Sequence, residues 1–259
     1  MGRLDAQDGG DGVAASRFGA SHAIIAYVLV VFGGNAAGMA MIFAKLFAAA
    51  IEKRDLSQEG AVSALMNEAM MPMVLVSMLT AAAITLAALR ILGWPFVRDR
   101  SPNGFGFVMP PWRQTLLWFA VGVVAAGPYI ALRLVIPTHW EGPMAKFLRG
   151  APDARIVFAA LALLYAPLFE ELLFRGMMLR GMRASWGTTA AGIVVTILFF
   201  VLHLPETYGY WPAMLAIVIF SVVALCARLR TGSLVPAVAA HAGYNIVAVW
   251  TMFAFMQSR

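Results

Sequence analysis

The chain has 259 residues, of which 61% are hydrophobic and 12% charged, with one cysteine and a formal net charge of +6. Soluble domains carry about 25% charged residues, so this composition predicts an integral membrane protein. A disulfide framework is excluded because Cys226 has no partner in the chain. The positive charge fits the basic loops that orient a polytopic protein in a bilayer, so it indicates topology and no nucleic-acid partner.

In chain order, the first feature is a polar segment, residues 1–21, which has no periodic apolar pattern and is expected to be a mobile N-terminal tail. Residues 22–259 are expected to form a single integral membrane domain. A hydrocarbon core of about 30 Å requires roughly 20 apolar residues in a helix. The segments with that length are 23–44, 69–89, 114–132, 156–179, 184–202, 207–227 and 231–258. The sequence therefore predicts an all-α, polytopic transmembrane bundle of about seven helices.

The distribution of basic residues predicts how the chain is oriented. With a cytoplasmic N-terminus, eleven of the 19 Lys and Arg residues lie on the inner side and eight on the outer side. The excess favours this orientation, because basic residues are retained on the cytoplasmic side of a membrane. The sequence shows no eukaryotic targeting signal, so we expect a multi-pass protein of a bacterial plasma membrane.

Only the segment 156–179 contains charged residues, and each costs about 2.5–3.5 kcal/mol at the centre of a membrane helix. Glu171 and Arg175 are four residues apart and share a helix face, which predicts an ion pair. Glu170 is rotated by about 100° from Glu171 and has no counter-charge among its helical neighbours. The candidate partners are His203, at the end of an apolar segment, and His241 in the last segment.

Helix geometry makes a shared site feasible without requiring it. Glu170 and His241 each lie about ten residues, or roughly 15 Å, from the cytoplasmic ends of their segments. His203 lies about 22–28 Å from the start of its segment, so it meets the other two only if that helix is tilted or broken near Pro205. Singly, each polar residue could be structural, but together in an apolar bundle they indicate a functional site.

Three short motifs contain these residues, and they occur in order on successive apolar segments. They are Glu170-Glu171-x-x-x-Arg175, Phe199-x-x-x-His203 and His241-x-x-x-Asn245. In this order they resemble the motifs of the CAAX protease and bacteriocin-processing family, intramembrane proteases related to the eukaryotic prenyl-protein endopeptidase. The resemblance covers roughly residues 156–249, which is the expected protease-like core.

The resemblance implies an intramembrane endopeptidase that hydrolyses a peptide bond of a membrane-associated protein or peptide. Glu170 would be the general base that activates water, and His203 would hold or polarise that water. His241 and Asn245 would donate hydrogen bonds to the carbonyl oxygen as it becomes an oxyanion.

On the same resemblance, Glu171 and Arg175 are expected to support the site, because an ion-paired carboxylate is a poorer base. A metal-independent mechanism without cofactors is favoured. Zinc is the alternative, because Glu170, His203 and His241 form a zinc-competent set, although the chain has no His-Glu-x-x-His motif.

Two other classes of protein remain open from the sequence. A bacteriocin-immunity or scaffold protein of the same fold would be non-enzymatic, but it would not need the insertion penalty of Glu170. A proton-coupled transporter could use the same acidic and histidine side chains. Transporters usually show interrupted helices in both halves, whereas intramembrane charge here is confined to the second half.

Overall fold

The computed structural model describes residues 18–93, 104–136 and 140–257, and within these ranges it contains helices and no strand. The helices are α1 (Ala20–Ile51), α2 (Ala61–Ile91), α3 (Trp112–Val135), α4 (Pro143–Gly150), α5 (154–186), α6 (188–207), α7 (Trp211–Thr231) and α8 (Val235–Gln257). In the described ranges, six helical stretches are long and apolar enough to cross a membrane. They are α1, α2, α3, α7, α8 and the 54-residue stretch Ala154–Thr207, in which α5 and α6 are joined end to end. The prediction of an all-α, polytopic bundle of about seven helices is therefore confirmed, and the stretch Ala154–Thr207 contains two of the seven predicted segments.

The observed helices extend beyond the predicted apolar segments. The first segment was predicted as 23–44, but α1 runs from Ala20 to Ile51, and α2 begins eight residues before its predicted start at residue 69. The predicted segments are runs of residues without a charged side chain, so they are bounded by Lys45 and Glu68, whereas the helices continue past both residues. The count therefore finds the bilayer-embedded part of a helix and not its ends.

The predicted mobile tail lies outside the described residues as far as residue 17. Its last residues are ordered against the bundle, because the Phe18 side chain is buried and its ring packs edge-on against Phe105, with 5.9 Å between ring centroids. The chain enters α1 directly afterwards, at Ala20.

The turn between the fourth and fifth crossings lies at Gly187. The predicted segments end at 179 and resume at 184, but residues 180–183 are helical and Gly187 alone leaves the helix, with φ of 78° and ψ of 172°. Only glycine adopts such a conformation without strain. The predicted segment ends at residue 179 because Arg180 is charged. In the structure Arg180 is only 4% exposed, and its guanidinium lies 4.9 Å from the centroid of the Phe18 ring.

The two arms on either side of Gly187 pack against each other. Phe174 on α5 and Phe199 on α6 have ring centroids 5.0 Å apart. Glu170 lies 17 residues before Gly187 and His203 lies 16 residues after it, so both are about 25 Å from the turn along their helices. The depth mismatch expected from the sequence disappears because α5 continues past Arg180.

Helices α1 and α2 form a closely packed hairpin. A Cβ atom on Gly38 would lie 2.2 Å from Oγ of Ser77, and one on Gly34 would lie 3.1 Å from the Ser77 carbonyl oxygen. The absence of a side chain at these positions lets the two backbones approach. The opposite face of α1 exposes Phe32, Phe43 and other large apolar side chains, as expected for a surface in contact with lipid.

Candidate active site

The two adjacent glutamates of α5 occupy different environments. The side chain of Glu171 has no exposed surface, whereas that of Glu170 is 24% exposed. Successive helical residues point about 100° apart, so Glu171 faces the bundle core while Glu170 faces the space next to α6 and α8. A π-helical turn, Leu172–Met178, follows directly, and such turns are frequent at functional sites.

The predicted ion pair is present and has a third member. Nη1 of Arg175 donates to Oε1 of Glu171 at 2.8 Å, and neither side chain is exposed. Nη2 of Arg175 donates to the Ser221 carbonyl oxygen at 2.9 Å and to its Oγ at 2.8 Å. Ser221 was not identified from the sequence. The only signal was a hydroxyl within the apolar segment 207–227.

Aromatic rings enclose the buried guanidinium. Cζ of Arg175 lies 4.5 Å from the ring centroid of Phe199 and 5.9 Å from that of Phe220. The ring faces are electron-rich and attract a cation most strongly where water is excluded. The rings and Glu171 together therefore compensate the charge of Arg175 inside the bundle.

His241 on α8 connects this ion pair to the second glutamate. Its Nδ1 lies 2.9 Å from Oε1 of Glu171. Because an ionised carboxylate only accepts hydrogen bonds, we assign the proton to Nδ1. Nε2 of His241 then faces Oε2 of Glu170 at 3.9 Å. The ring stacks on Phe220, with 4.4 Å between centroids.

His203 on α6 is oriented in the same way by a backbone group. Its Nδ1 lies 2.9 Å from the carbonyl oxygen of Phe199, and a carbonyl can only accept, so the proton is assigned to Nδ1. Nε2 of His203 is thereby directed at Oε2 of Glu170, at 3.6 Å. The His203 ring stacks on the ring of Phe199, with centroids 4.5 Å apart.

Glu170, His203 and His241 therefore meet around one oxygen atom. Oε2 of Glu170 is buried and accepts no hydrogen bond from any described residue. The separations of 3.6 and 3.9 Å from the two Nε2 atoms exceed the usual hydrogen-bond range. They suit groups that share a bridging water. This arrangement can orient a water molecule and remove its proton.

The same three side chains bear on the zinc alternative. Both Nδ1 protons have acceptors, so both Nε2 lone pairs are directed towards Glu170, as in histidines that bind metals. Within the described ranges, however, no group of three His, Cys, Asp or Glu side chains has a metal-binding arrangement.

Asn245, one turn after His241 on α8, has a partner that the sequence did not indicate. Its Nδ2 donates to the carbonyl oxygen of Ala162 at 2.7 Å. Ala162 lies in a π-helical turn of α5, Leu161–Tyr165. The amide therefore joins α8 to the helix that carries the two glutamates.

A close crossing of α3 and α8 holds His241 in place. A Cβ atom on Gly122 would lie 1.9 Å from the Ala240 carbonyl oxygen, and one on Gly243 would lie 2.3 Å from the Phe119 carbonyl oxygen. No side chain fits at either position. The residues on either side of His241 are thus fixed against the α3 backbone.

Comparison with known proteins identifies the family of this region. Residues 152–247 match the Type II CAAX prenyl endopeptidase Rce1-like family. The chain matches no curated protein and no solved structure. The matched region contains all three motifs and nearly coincides with the predicted core, 156–249. The resemblance to the CAAX protease and bacteriocin-processing family is therefore confirmed over residues 152–247, which form an Rce1-like domain in a multi-pass membrane protein.

Proposed function

We propose that this intramembrane endopeptidase hydrolyses a peptide bond of a membrane-associated protein or peptide with a water molecule activated by Glu170. One observation carries the proposal. Oε2 of Glu170 accepts no hydrogen bond from the described residues and lies between the Nε2 atoms of His203 and His241. A general base must be within reach of the proton that it removes, directly or through one water.

The environments of the two glutamates favour Glu170 as the base. Oε1 of Glu171 accepts hydrogen bonds from both Arg175 and His241. These bonds occupy that oxygen, and the Glu171 side chain has no exposed surface, whereas the Glu170 side chain is 24% exposed and can be reached by water. We assign Glu171 and Arg175 to the support of the site, where they fix the orientation of His241.

In the proposed reaction, Glu170 takes one proton from the water while the water oxygen attacks the carbonyl carbon of the peptide. His203 orients the water through Nε2. The carbonyl oxygen becomes an oxyanion in the tetrahedral intermediate. Glu170 then returns the proton to the leaving nitrogen as the C–N bond breaks, which gives one carboxylic acid and one amine.

His241 and Asn245 are the proposed donors to the oxyanion. The first amide hydrogen of Asn245 is bound to Ala162, so the second is the one that can face the substrate. In the tautomer assigned above, Nε2 of His241 carries no hydrogen, because the ring proton is on Nδ1 and is donated to Glu171. His241 can therefore donate to the oxyanion only after Nε2 has taken up a second proton. Each oxyanion donor is typically worth about 2.7–4 kcal/mol in the transition state.

We further propose that the protein lies in a bacterial plasma membrane with a cytoplasmic N-terminus. The support for this orientation is the excess of Lys and Arg residues on that side of the predicted topology. Cysteine-accessibility labelling at the two ends of α1, from each side of intact cells, would test it.

A comparison of peptide termini across the proteome tests the proposed reaction. Cells would carry the wild-type protein, Glu170→Gln, His203→Ala or the control Glu68→Gln, which alters an exposed ion pair with Arg54. We expect one or more new termini in the wild-type and control cells that vanish with Glu170→Gln and His203→Ala. If every variant reaches the membrane and no terminus depends on Glu170, the chain is a scaffold or a transporter and the proposal fails.

A further inference from the structure

A proline interrupts the helix that carries Glu170, less than one turn before that residue. Upstream of it lies the π-helical turn Leu161–Tyr165, in which the N–H of Ala166 donates to the carbonyl of Leu161, five residues back. The next donor in this register would be residue 167, and the acceptor would be Ala162. Pro167 has no N–H, so it cannot supply that bond.

An unpaired carbonyl is unfavourable in this environment. The bilayer core contains no water to bind a free backbone group, and interrupted membrane helices persist where neighbouring side chains take over the lost bond. Asn245 provides such a group, since its Nδ2 lies 2.7 Å from the Ala162 carbonyl oxygen. The side chain belongs to α8, so the replacement bond is also a connection between helices.

This connection lies close to the two carboxylates. Asn245 follows His241 by one turn, and His241 binds Glu171 at 2.9 Å and faces Oε2 of Glu170 at 3.9 Å. A rotation or shift of α5 against α8 would change both distances. Such a shift of about 1 Å can reduce a catalytic rate by about 100-fold.

We propose that Asn245 is a positioning residue, whose amide replaces the N–H that Pro167 removes and thereby sets the spacing between Glu170 and His241. The meaning of that spacing for catalysis rests on the proposed function. The bond itself is independent of it. One amide hydrogen of Asn245 is donated to the Ala162 carbonyl oxygen, which leaves the second available for the oxyanion role proposed above.

A double-mutant cycle on thermal stability tests the bond without any substrate. Asn245→Ala should lower Tm by about 2–4 °C in the wild-type background. In the Pro167→Ala background the loss should be half of that or less, because the restored N–H can reach the same carbonyl. Asn35→Ala is the matched control, since Asn35 also donates to a carbonyl at 2.7 Å, but to Val31 of its own helix. Its effect should be equal in both backgrounds.

Equal losses for Asn245→Ala in the two backgrounds would overturn the inference. If Pro167→Ala does not fold, Asn245→Leu provides the test, because leucine keeps the side-chain volume and removes the donor. We expect this variant to be as destabilised as Asn245→Ala. A wild-type Tm for Asn245→Leu would also overturn the inference.

The activity of the same variants separates positioning from a role limited to the substrate. On a peptide substrate found by terminus profiling, Asn245→Ala should lower kcat by about 10- to 100-fold with little change in KM. Pro167→Ala should restore part of this loss. An equal loss of kcat in both backgrounds would show that Asn245 acts at the substrate alone. Cleavage that survives Glu170→Gln would instead contradict the proposed function, and the stability cycle would still decide the inference.

Discussion

Removal of the buried arginine is expected to destabilise the bundle strongly. Arg175→Met would leave the carboxylate of Glu171 without its cation in a place where neither side chain is exposed. Breaking a buried ion pair from one side costs about 3–5 kcal/mol. For a chain of this size, each kcal/mol shifts Tm by about 2–4 °C. The expected fall is therefore roughly 6–20 °C, measured by tryptophan fluorescence on the protein purified in detergent.

Two further variants show whether charge is the cause. Glu171→Gln combined with Arg175→Met removes both charges, so the pair should recover about half or more of the lost Tm. Arg54→Met removes an exposed arginine that pairs with Glu68 and is 45% exposed. Solvent and salt screen an exposed ion pair, so the Tm of this variant should stay near that of the wild type. A fall of less than about 3 °C for Arg175→Met, or a double variant no more stable than the single one, would refute this reasoning.

Three other outcomes are expected from the same geometry. Gly122→Ala and Gly243→Ala should each destabilise the protein by about 1–3 kcal/mol, because the new Cβ would meet backbone atoms of the facing helix. Gly127→Ala is the control and should be near neutral, because no atom lies within 4 Å of a Cβ at that position. Equal effects of the three substitutions in thermal melts would contradict the close crossing of α3 and α8. Ser221→Ala should cost about 1.5–3 kcal/mol by losing a hydrogen bond to a cation, and an unchanged Tm would show that the backbone carbonyl suffices. Cleavage should persist in chelators with no stoichiometric zinc by elemental analysis, while activity lost to chelation and restored by zinc would establish the zinc alternative.

The sequence predicts the fold well because bilayer thickness is a strict constraint on helix length. Seven apolar segments of about 20 residues are sufficient to predict the bundle. Helix ends are less certain because they depend on local contacts. Arg180 reads as the end of a membrane segment, but its contact with the Phe18 ring lets α5 continue as far as Gly187.

Part of the candidate site could also be predicted from the sequence. The spacing of Glu171 and Arg175 predicts their ion pair, because residues four apart share a helix face. The partners of that pair could not be predicted. Ser221 and His241 reach it across helix crossings whose angles depend on packing at small residues such as Gly122.

The contact between Asn245 and Ala162 shows a second limit of sequence reasoning. Pro167 indicates that one backbone N–H donor is missing on α5, and Asn245 is a polar residue in another apolar segment. Nothing in the sequence pairs them. The pairing depends on the π-helical register, in which residue 167 would be the donor to the Ala162 carbonyl and, as a proline, has no N–H to donate. That register is a property of the folded helix.

The most direct test of the account compares Glu170→Gln with Glu171→Gln in purified protein reconstituted in liposomes, with a cleaved peptide as substrate. Glu170→Gln should lower kcat by at least about 100-fold with little change in Tm, because Oε2 accepts no hydrogen bond from the described residues. Glu171→Gln should lower Tm, because it leaves Arg175 without its counter-ion. If Glu170→Gln cleaves the peptide at a rate near that of the wild type, Glu170 is not the base and the central claim is contradicted.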